Sequence, residues 1–548
     1  MPPNGSIWQQ DYAPVAHSIG WSALFAAMPM LVLLFLLGIR RKPAWISAIA
    51  SLVTAILMVW FVYRMPPGRI FSATTFGMAF GLLPIGWITF NALLLYRVTV
   101  ETGQFEVIKN SLAMLTSDCR LQALLIAFAF GAFIEGAAGS GVPVAVCAAM
   151  LAGMGFNRLK AAGICLLANT APVAFGAIGL PILVLAKTTG LPLLNLSATA
   201  GRICAPLSLC VPAYMVVLVT DWKGLRGALR AVLVCGVSFA IVQVTVSNLI
   251  GPEITDILAA ITAITSLVLL FRVWQPKELL AAGGTNASSA VVEHRYHSSE
   301  IVRAWLPYAL LAVCVLCWGM PGLKTVLLDT SISIEWPALH RLVMRMPPVV
   351  PTASPYDAIY SLDWLASAGT ACLIASVLAA LFAGLSPVRF ARVFRSTLHQ
   401  MFLPLVTIVS VLGMAFLMNY SGATATLGLA FAATGGLFSF FSPLLGWMGV
   451  FLTGSDASSN ALFGNLQTTA ARQVGLNPTL IAAANSTGGV MGKMISVQSI
   501  AVAAAATGMK PTEESRLFRF TFWHSVLLVC LIGIVTTLYA YVMPWMVR

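Results

Sequence analysis

The chain has 548 residues, of which 59% are hydrophobic and only 9% charged, against about 25% charged in a soluble domain. With a mean hydropathy of +0.90, that composition argues against a soluble multidomain enzyme and for a membrane protein. The formal charge of +13 does not mark a nucleic-acid binder. Its basic residues stand in short groups beside apolar runs: Arg40, Arg41 and Lys42; Arg97 to Arg120; Arg389, Arg392 and Arg395; Arg516 and Arg519. This is the positive-inside arrangement, with side chains long enough to snorkel.

In chain order, the segment before Ser22 has no basic n-region, and no A-x-A-like site follows the first span, so that span is expected to stay as an anchor. Apolar runs Ser22–Ile39, Ala44–Val62 and Ala73–Tyr96 are each near the roughly 20 residues that cross a bilayer as a helix. Placing Arg40–Lys42 inside puts the N-terminus outside, yet Arg64 and Arg69 then fall outside as well, so orientation stays open. A charged amphipathic stretch, Arg97–Arg120, leads to a Gly-rich segment at 131–191 and to three spans, Leu207–Val219, Ala228–Ile250 and Ile254–Phe271. The polar stretch 272–304 reads as a solvated linker; its His294-x-x-His297 spacing resembles a metal pair but finds no third ligand. Cys314 and Cys317, one helical turn apart in an apolar run, read as buried reduced thiols. No metal and no cofactor are expected.

The second half opens on Trp305–Trp318. A Pro-rich stretch, Met320–Asp363, is expected to lie along the membrane surface as a loop with short amphipathic pieces. Spans Leu365–Leu385 and Met401–Met418 lead to a second Gly-rich segment at 446–509, and Thr521–Met546 closes the chain. The fold class that follows is an all-α polytopic membrane protein with roughly 12–14 membrane segments, half-spans included. Two repeats are expected, 1–271 (with extra helices) and 305–548.

The Gly-rich segments carry the functional signal. The first reads GAFIEGAAGSGVPVAV from Gly131 and closes on AKTTGL at Leu191; the second reads GVFLTGSDASSNALFG from Gly449 and closes on AAATGM at Met509. Gly131 and Phe133 match Gly449 and Phe451, and Gly190 matches Gly508. Corresponding broken segments in two halves of a hydrophobic chain point to a transporter's binding site. Irregular backbone at membrane depth survives only against protein or a water-filled cavity, so each segment is expected to enter as a re-entrant hairpin. A broken helix carrying Asn169-Thr170 or Asn485-Ser486-Thr487 would follow. A broken helix exposes N–H groups that attract an anion. Close helix packing through small residues explains the glycines but not Glu135, Asp456 and Lys493, since ionisable residues inside a span are costly and mark function. There is no H-E-x-x-H, no G-x-S-x-G and no P-loop, which argues against an enzyme or an ATP-driven pump and favours a gradient-driven carrier over a channel.

The runs GAFIEGAAGSGVPVAV, ANTAPVAFGAIGLPI, GWMGVFLTGSDASSNALFG and GGVMGKMIS closely resemble the L-lactate permease family, as do SIWQQDY at Ser6–Tyr12, TGQFEVI at Thr102–Ile108, RMPPVV at Arg345–Val350 and LFRFT at Leu517–Thr521. The resemblance implies a bacterial inner-membrane carrier, built from inverted repeats with re-entrant hairpins, that imports L-lactate, with D-lactate and glycolate, by proton symport. Ser140 departs from the family pattern, which has an aromatic residue there, and bears on side-chain preference. A carrier of another small organic anion is the alternative, with a channel or sensor behind it.

Polar positions that cluster in the two segments are the candidate substrate contacts: Ser140, Asn169, Thr170, Ser455, Ser458, Ser459, Asn460, Asn485 and Thr487, with Lys493 as the fixed positive partner. Glu135 and Asp456 are the candidate proton carriers, because burial in low dielectric favours a neutral acid. Asp456 has a second reading as the cap of a half-helix.

Overall fold

The computed structural model describes residues 7–36, 40, 42–139, 141–276, 278–280, 296–433, 435–509 and 513–547. Ten helices among these are long and apolar enough to cross a membrane, and twelve if each of two bent pairs forms one span. That sits at the lower edge of the sequence expectation, because helices fuse or lengthen beyond the apolar runs. The run at Leu207 belongs to Leu193–Val219, and that at Met401 to Pro387–Ser421, 35 residues long. Internal Pro206, Pro212 and Pro404 do not break these helices. The span expected at Ala73–Tyr96 runs from Pro67 to Glu101 with a kink at Leu83 (φ −135°, ψ 124°), beside Pro84. A proline cannot donate to the preceding turn, which accounts for the kink.

Arg120 departs from the charged loop in which the sequence places it. It is 3% exposed, and its guanidinium bonds Asp118 Oδ2 at 2.6 Å and the carbonyls of Gly224 and Glu278. This anchor starts the buried helix Cys119–Ala137, whose middle, Ala123–Phe130, is π-helical. The linker expectation at His294 falls outside the described residues; His297 caps the helix Ser298–Gly319, its N–H donating to Glu300.

The Pro-rich stretch is more ordered than a surface loop. After a short helix, Pro321–Leu328, strand Ile332–Glu335 pairs antiparallel with Ile359–Leu362. Val343–Arg345 lies between Ser354–Pro355 and, in parallel, the N-terminal strand Trp8–Gln9. β-Branched residues in short alternating runs supply the propensity, but the partner strand is far away in sequence. Gln10 Nε2 continues this arm by donating to the carbonyls of Asn419 (3.0 Å) and Tyr420 (2.9 Å), and Thr426 Oγ1 donates to the Tyr12 carbonyl at 3.0 Å.

Both Gly-rich segments run as helix, break, helix, Gly-x-Asn turn, helix, break, helix. In the first these helices are Gly131–Ala137, Val142–Gly153, Arg158–Ala168 and Gly176–Thr189. In the second they are Phe438–Thr453, Asp456–Gln473, Pro478–Lys493 and Val497–Ala506. Asn157 and Asn477 cap their third helices, each Oδ1 accepting the N–H two residues on, at 3.0 and 2.8 Å. At the first breaks Gly141 (φ +82°) and Gly454 (φ +72°) take a left-handed conformation that L side chains resist.

The second breaks differ from expectation in one respect. Asn169 and Thr170 stand at a 61° bend between Arg158–Ala168 and Val173–Thr189. Asn485 to Thr487 instead lie inside the continuous helix Pro478–Lys493, and the break comes later, at 494–496. The helix survives because its glycines seat against a neighbour's backbone. A Cβ at Gly488 or Gly492 would collide with the carbonyls of Pro443 or Trp447 on the helix Phe438–Thr453. These glycines serve close packing, as small residues do between membrane helices.

Candidate functional site

A cavity of about 460 Å³ lies where the two Gly-rich segments meet, within the size range of small-molecule sites. The first segment contributes Glu135, Gly139, Val142, Gly176 and Ala177; the second contributes Ser455, Asp456, Ser458, Lys493 and Gln498. Met401, Pro404 and Val411 of the 35-residue helix, with Ile85 and Leu93, form an apolar wall that only the hydroxyl of Thr89 interrupts among these residues. Backbone geometry makes the wall between the breaks. Ala177 and Ile178 both have positive φ (+45° and +59°), and a Cβ at Gly139 would stand 2.9 Å from the Cβ of Ala177. A β-branched residue in that region is strained, and such strain persists where surrounding packing over-determines it.

Lys493 ends the helix Pro478–Lys493 and is 9% exposed; Glu135, on the last turn before the first break, is 2% exposed. Lys493 Nζ donates to Glu135 Oε1 at 2.8 Å, tying the two segments together across the cavity. Glu135 Oε2 meets no donor among the described residues. The carboxylate fits because a Cβ at Gly176 would come within 2.7 Å of Oε1.

Asp456 opens the helix that starts at the cavity, and Ser455 is the cap, its Oγ accepting the Ser458 N–H at 3.3 Å. Asp456 is therefore in the first turn and not the cap itself. Its Oδ2 accepts from Ser486 Oγ at 2.6 Å. Behind it runs a buried network: Asn460 Nδ2 donates to Ser486 Oγ (3.1 Å) and to the Pro181 carbonyl (3.0 Å), Asn485 Nδ2 to Asn460 Oδ1 (2.8 Å), and Gln467 Nε2 to Asn485 Oδ1 (2.6 Å).

The structure thus brings together Glu135, Asp456, Ser455, Ser458 and Lys493 at the cavity, and sets the others behind it. Asn460 and Asn485 are occupied in the network, Ser459 Oγ donates to the Gly446 carbonyl, Thr170 Oγ1 to that of Leu167, and Thr487 Oγ1 to that of Ala484. Asn169 is 5% exposed, and neither amide atom has a partner among the described residues. Ser140 lies outside the described residues. Gln498 and Thr89 were missed, being common polar residues with no pattern to mark them.

Asp256 was also missed, inside the run Ile254–Phe271. It is 1% exposed on the first turn of the helix Thr255–Val273, and neither of its oxygens meets a donor among the described residues. The rule that singled out Glu135, an ionisable residue inside a span, applies to it equally. A charged Asp256 would gain about 0.3–1 kcal/mol from the helix dipole and lose several kcal/mol by desolvation.

Broken helices meet at a buried ion pair inside a bundle of membrane-length helices, the architecture of a polytopic membrane protein. The L-lactate permease family model matches residues 22–543. An L-lactate permease of Salmonella typhimurium is 45% identical, covering 99% of this chain and all of that one, and the glycolate permease GlcA of Escherichia coli is 44% identical over 98% and 99%. The chain belongs to the L-lactate permease family. Its fold is shared with MtrF of Neisseria gonorrhoeae, at 11% identity and a TM-score of 0.50, covering 90% of this chain and 95% of that one.

Proposed function

We propose that the protein imports L-lactate, with D-lactate and glycolate, across the bacterial inner membrane by proton symport. The observation that carries this reading is the Lys493–Glu135 pair at the cavity wall. A lactate carboxylate entering the cavity competes with Glu135 for the Lys493 ammonium, while Ser455, Ser458 and the N-terminus of the helix Asp456–Gln473 offer neutral donors. Glu135, left buried without its partner, then takes up a proton. The net charge carried is zero, which avoids about 2.3 kcal/mol per charge per 100 mV of membrane potential. The likeness between the two segments supports inverted repeats with re-entrant hairpins around this site.

Labelled lactate uptake into proteoliposomes tests the reading. An inward proton gradient is expected to stimulate uptake, and lack of stimulation rejects symport. Unlabelled lactate and glycolate should compete, whereas stronger competition by dicarboxylates would reassign the substrate to another small organic anion.

Roles for the two carboxyls separate in the same assay. Glu135→Gln should lose gradient-driven uptake yet keep lactate counterflow, because Lys493 is then free for the substrate. Asp456→Asn should reduce both, since Asp456 holds the helix start through Ser486. Retention of driven uptake by Glu135→Gln would remove Glu135 from the coupling.

A further inference from the structure

We infer that Asp256 is the relay that supplies Glu135 with its proton, a step that rests on the symport reading above. Backbone approach sets Asp256 against the neighbour of Glu135: a Cβ at Gly136 would stand 2.8 Å from the Cβ of Asp256. The helices Gly131–Ala137 and Thr255–Val273 pack directly on each other, and Glu135 is within Coulombic reach of Asp256. Two carboxylates at such range do not both ionise readily. Glu135 has Lys493 as counter-ion, whereas Asp256 is 1% exposed with both oxygens unpartnered among the described residues. A buried acid in that position is satisfied by a proton. In the conformation seen here, the proton of the pair therefore sits on Asp256.

Among the described residues, the helices packed against it bring no other charge to it than that of Glu135. The π-helical stretch Ala123–Phe130 holds no ionisable side chain. On Gly131–Ala137 only Glu135 is ionisable, and on Gly176–Thr189 only Lys187, which lies over the Phe80 ring. The charged residues of Trp222–Leu249, Lys223, Arg226 and Arg230, are confined to its first turns, and Asp256 follows its far end. Cys204 of Leu193–Val219 is within Coulombic reach of Asp256. Asp256 also lies one turn beyond the loop that joins these helices, where Glu253 is partly exposed. It thus stands close both to that loop and to Glu135, which lines the cavity.

Glu135 and Asp256 share no hydrogen bond in the conformation seen here; when lactate takes Lys493, the released Glu135 side chain turns to the Asp256 acid, the O–H bond at Asp256 breaks and one forms at Glu135 Oε2. The negative charge passes from Glu135 to Asp256, and a proton of the medium restores the Asp256 acid.

The test uses the full-length protein in proteoliposomes with an inward gradient of one pH unit, which at one proton per lactate supports about tenfold accumulation. Asp256→Asn, shaped like the neutral acid, should bring accumulation to about onefold while retaining lactate counterflow. Failure of the wild type to respond to the gradient overturns the symport reading itself. A wild type that responds, with an Asp256→Asn variant that still accumulates, overturns the relay alone. Loss of counterflow together with driven uptake also overturns the relay, since it places Asp256 in binding or folding. If Asp256→Asn does not assemble, Asp256→Glu should shift the pH of half-maximal driven uptake, and an unchanged profile overturns the proposal.

Discussion

Lys493→Ala should abolish lactate uptake and leave a poorly stable protein. Truncating one partner of a buried ion pair leaves the other charge uncompensated, which costs about 3–5 kcal/mol. Here the stranded group is Glu135, 2% exposed, and the lost group is also the proposed seat of the substrate carboxylate. The two effects separate in a double variant. Lys493→Met with Glu135→Gln replaces the pair by neutral groups of similar size, so yield and thermal stability should recover while lactate binding does not. Lys493→Arg is expected to fail too, because a planar fork does not fit a site shaped for a compact ammonium. Direct binding of labelled lactate to purified protein decides the matter: an affinity for Lys493→Ala within about twofold of wild type, roughly 0.4 kcal/mol, would remove Lys493 from the site.

Gly488→Val and Gly492→Val should each prevent assembly. An added Cβ meets backbone carbonyls of Pro443 and Trp447, which cannot rotate away. Overpacking a core ordinarily costs about 1–3 kcal/mol, and a fixed backbone neighbour places these sites at or above the top of that range. Gly153→Ala is the matched control, a helical glycine whose added methyl meets nothing within 4 Å. Monodisperse yield and melting temperature of the detergent-solubilised variants measure the difference. Near-wild-type stability of either valine variant would mean that the helices Phe438–Thr453 and Pro478–Lys493 are further apart than described.

The carriers of charge were the legible part of the site. Glu135, Asp456 and Lys493 stand out in sequence because lipid makes ionisable residues conspicuous, and all three reach one cavity. Polar neutral residues were less legible. Asn460, Asn485 and Thr487 looked alike as candidate contacts, and which of them face a cavity depends on rotation about helix axes that periodicity does not fix in helices buried on nearly every side. Asp256 was hidden for the opposite reason: a single acid in an otherwise ordinary span gave no second segment to compare with. In the fold, the breaks at Gly141 and Gly454 were readable from glycine density. The break after Lys493 was not, because Gly488, Gly489 and Gly492 look like helix breakers and act as a packing face. The Val343–Arg345 sheet needed knowledge of a partner strand at Trp8.

That arm sets an order of events during synthesis. Gln10 bonds the carbonyl of Asn419, 409 residues later in the chain. At translation rates of about 5–20 residues per second the interval is roughly 20–80 s. For most of that time the Trp8–Gln10 segment has neither its partner strand Val343–Arg345 nor its carbonyl acceptors, and until that strand is made it remains an open β-edge of the kind that attracts wrong partners. Closure of the arm therefore reports that helix Pro387–Ser421 has been inserted, and a chain stalled before Asn419 carries its early segment unprotected against a protease on that side of the membrane.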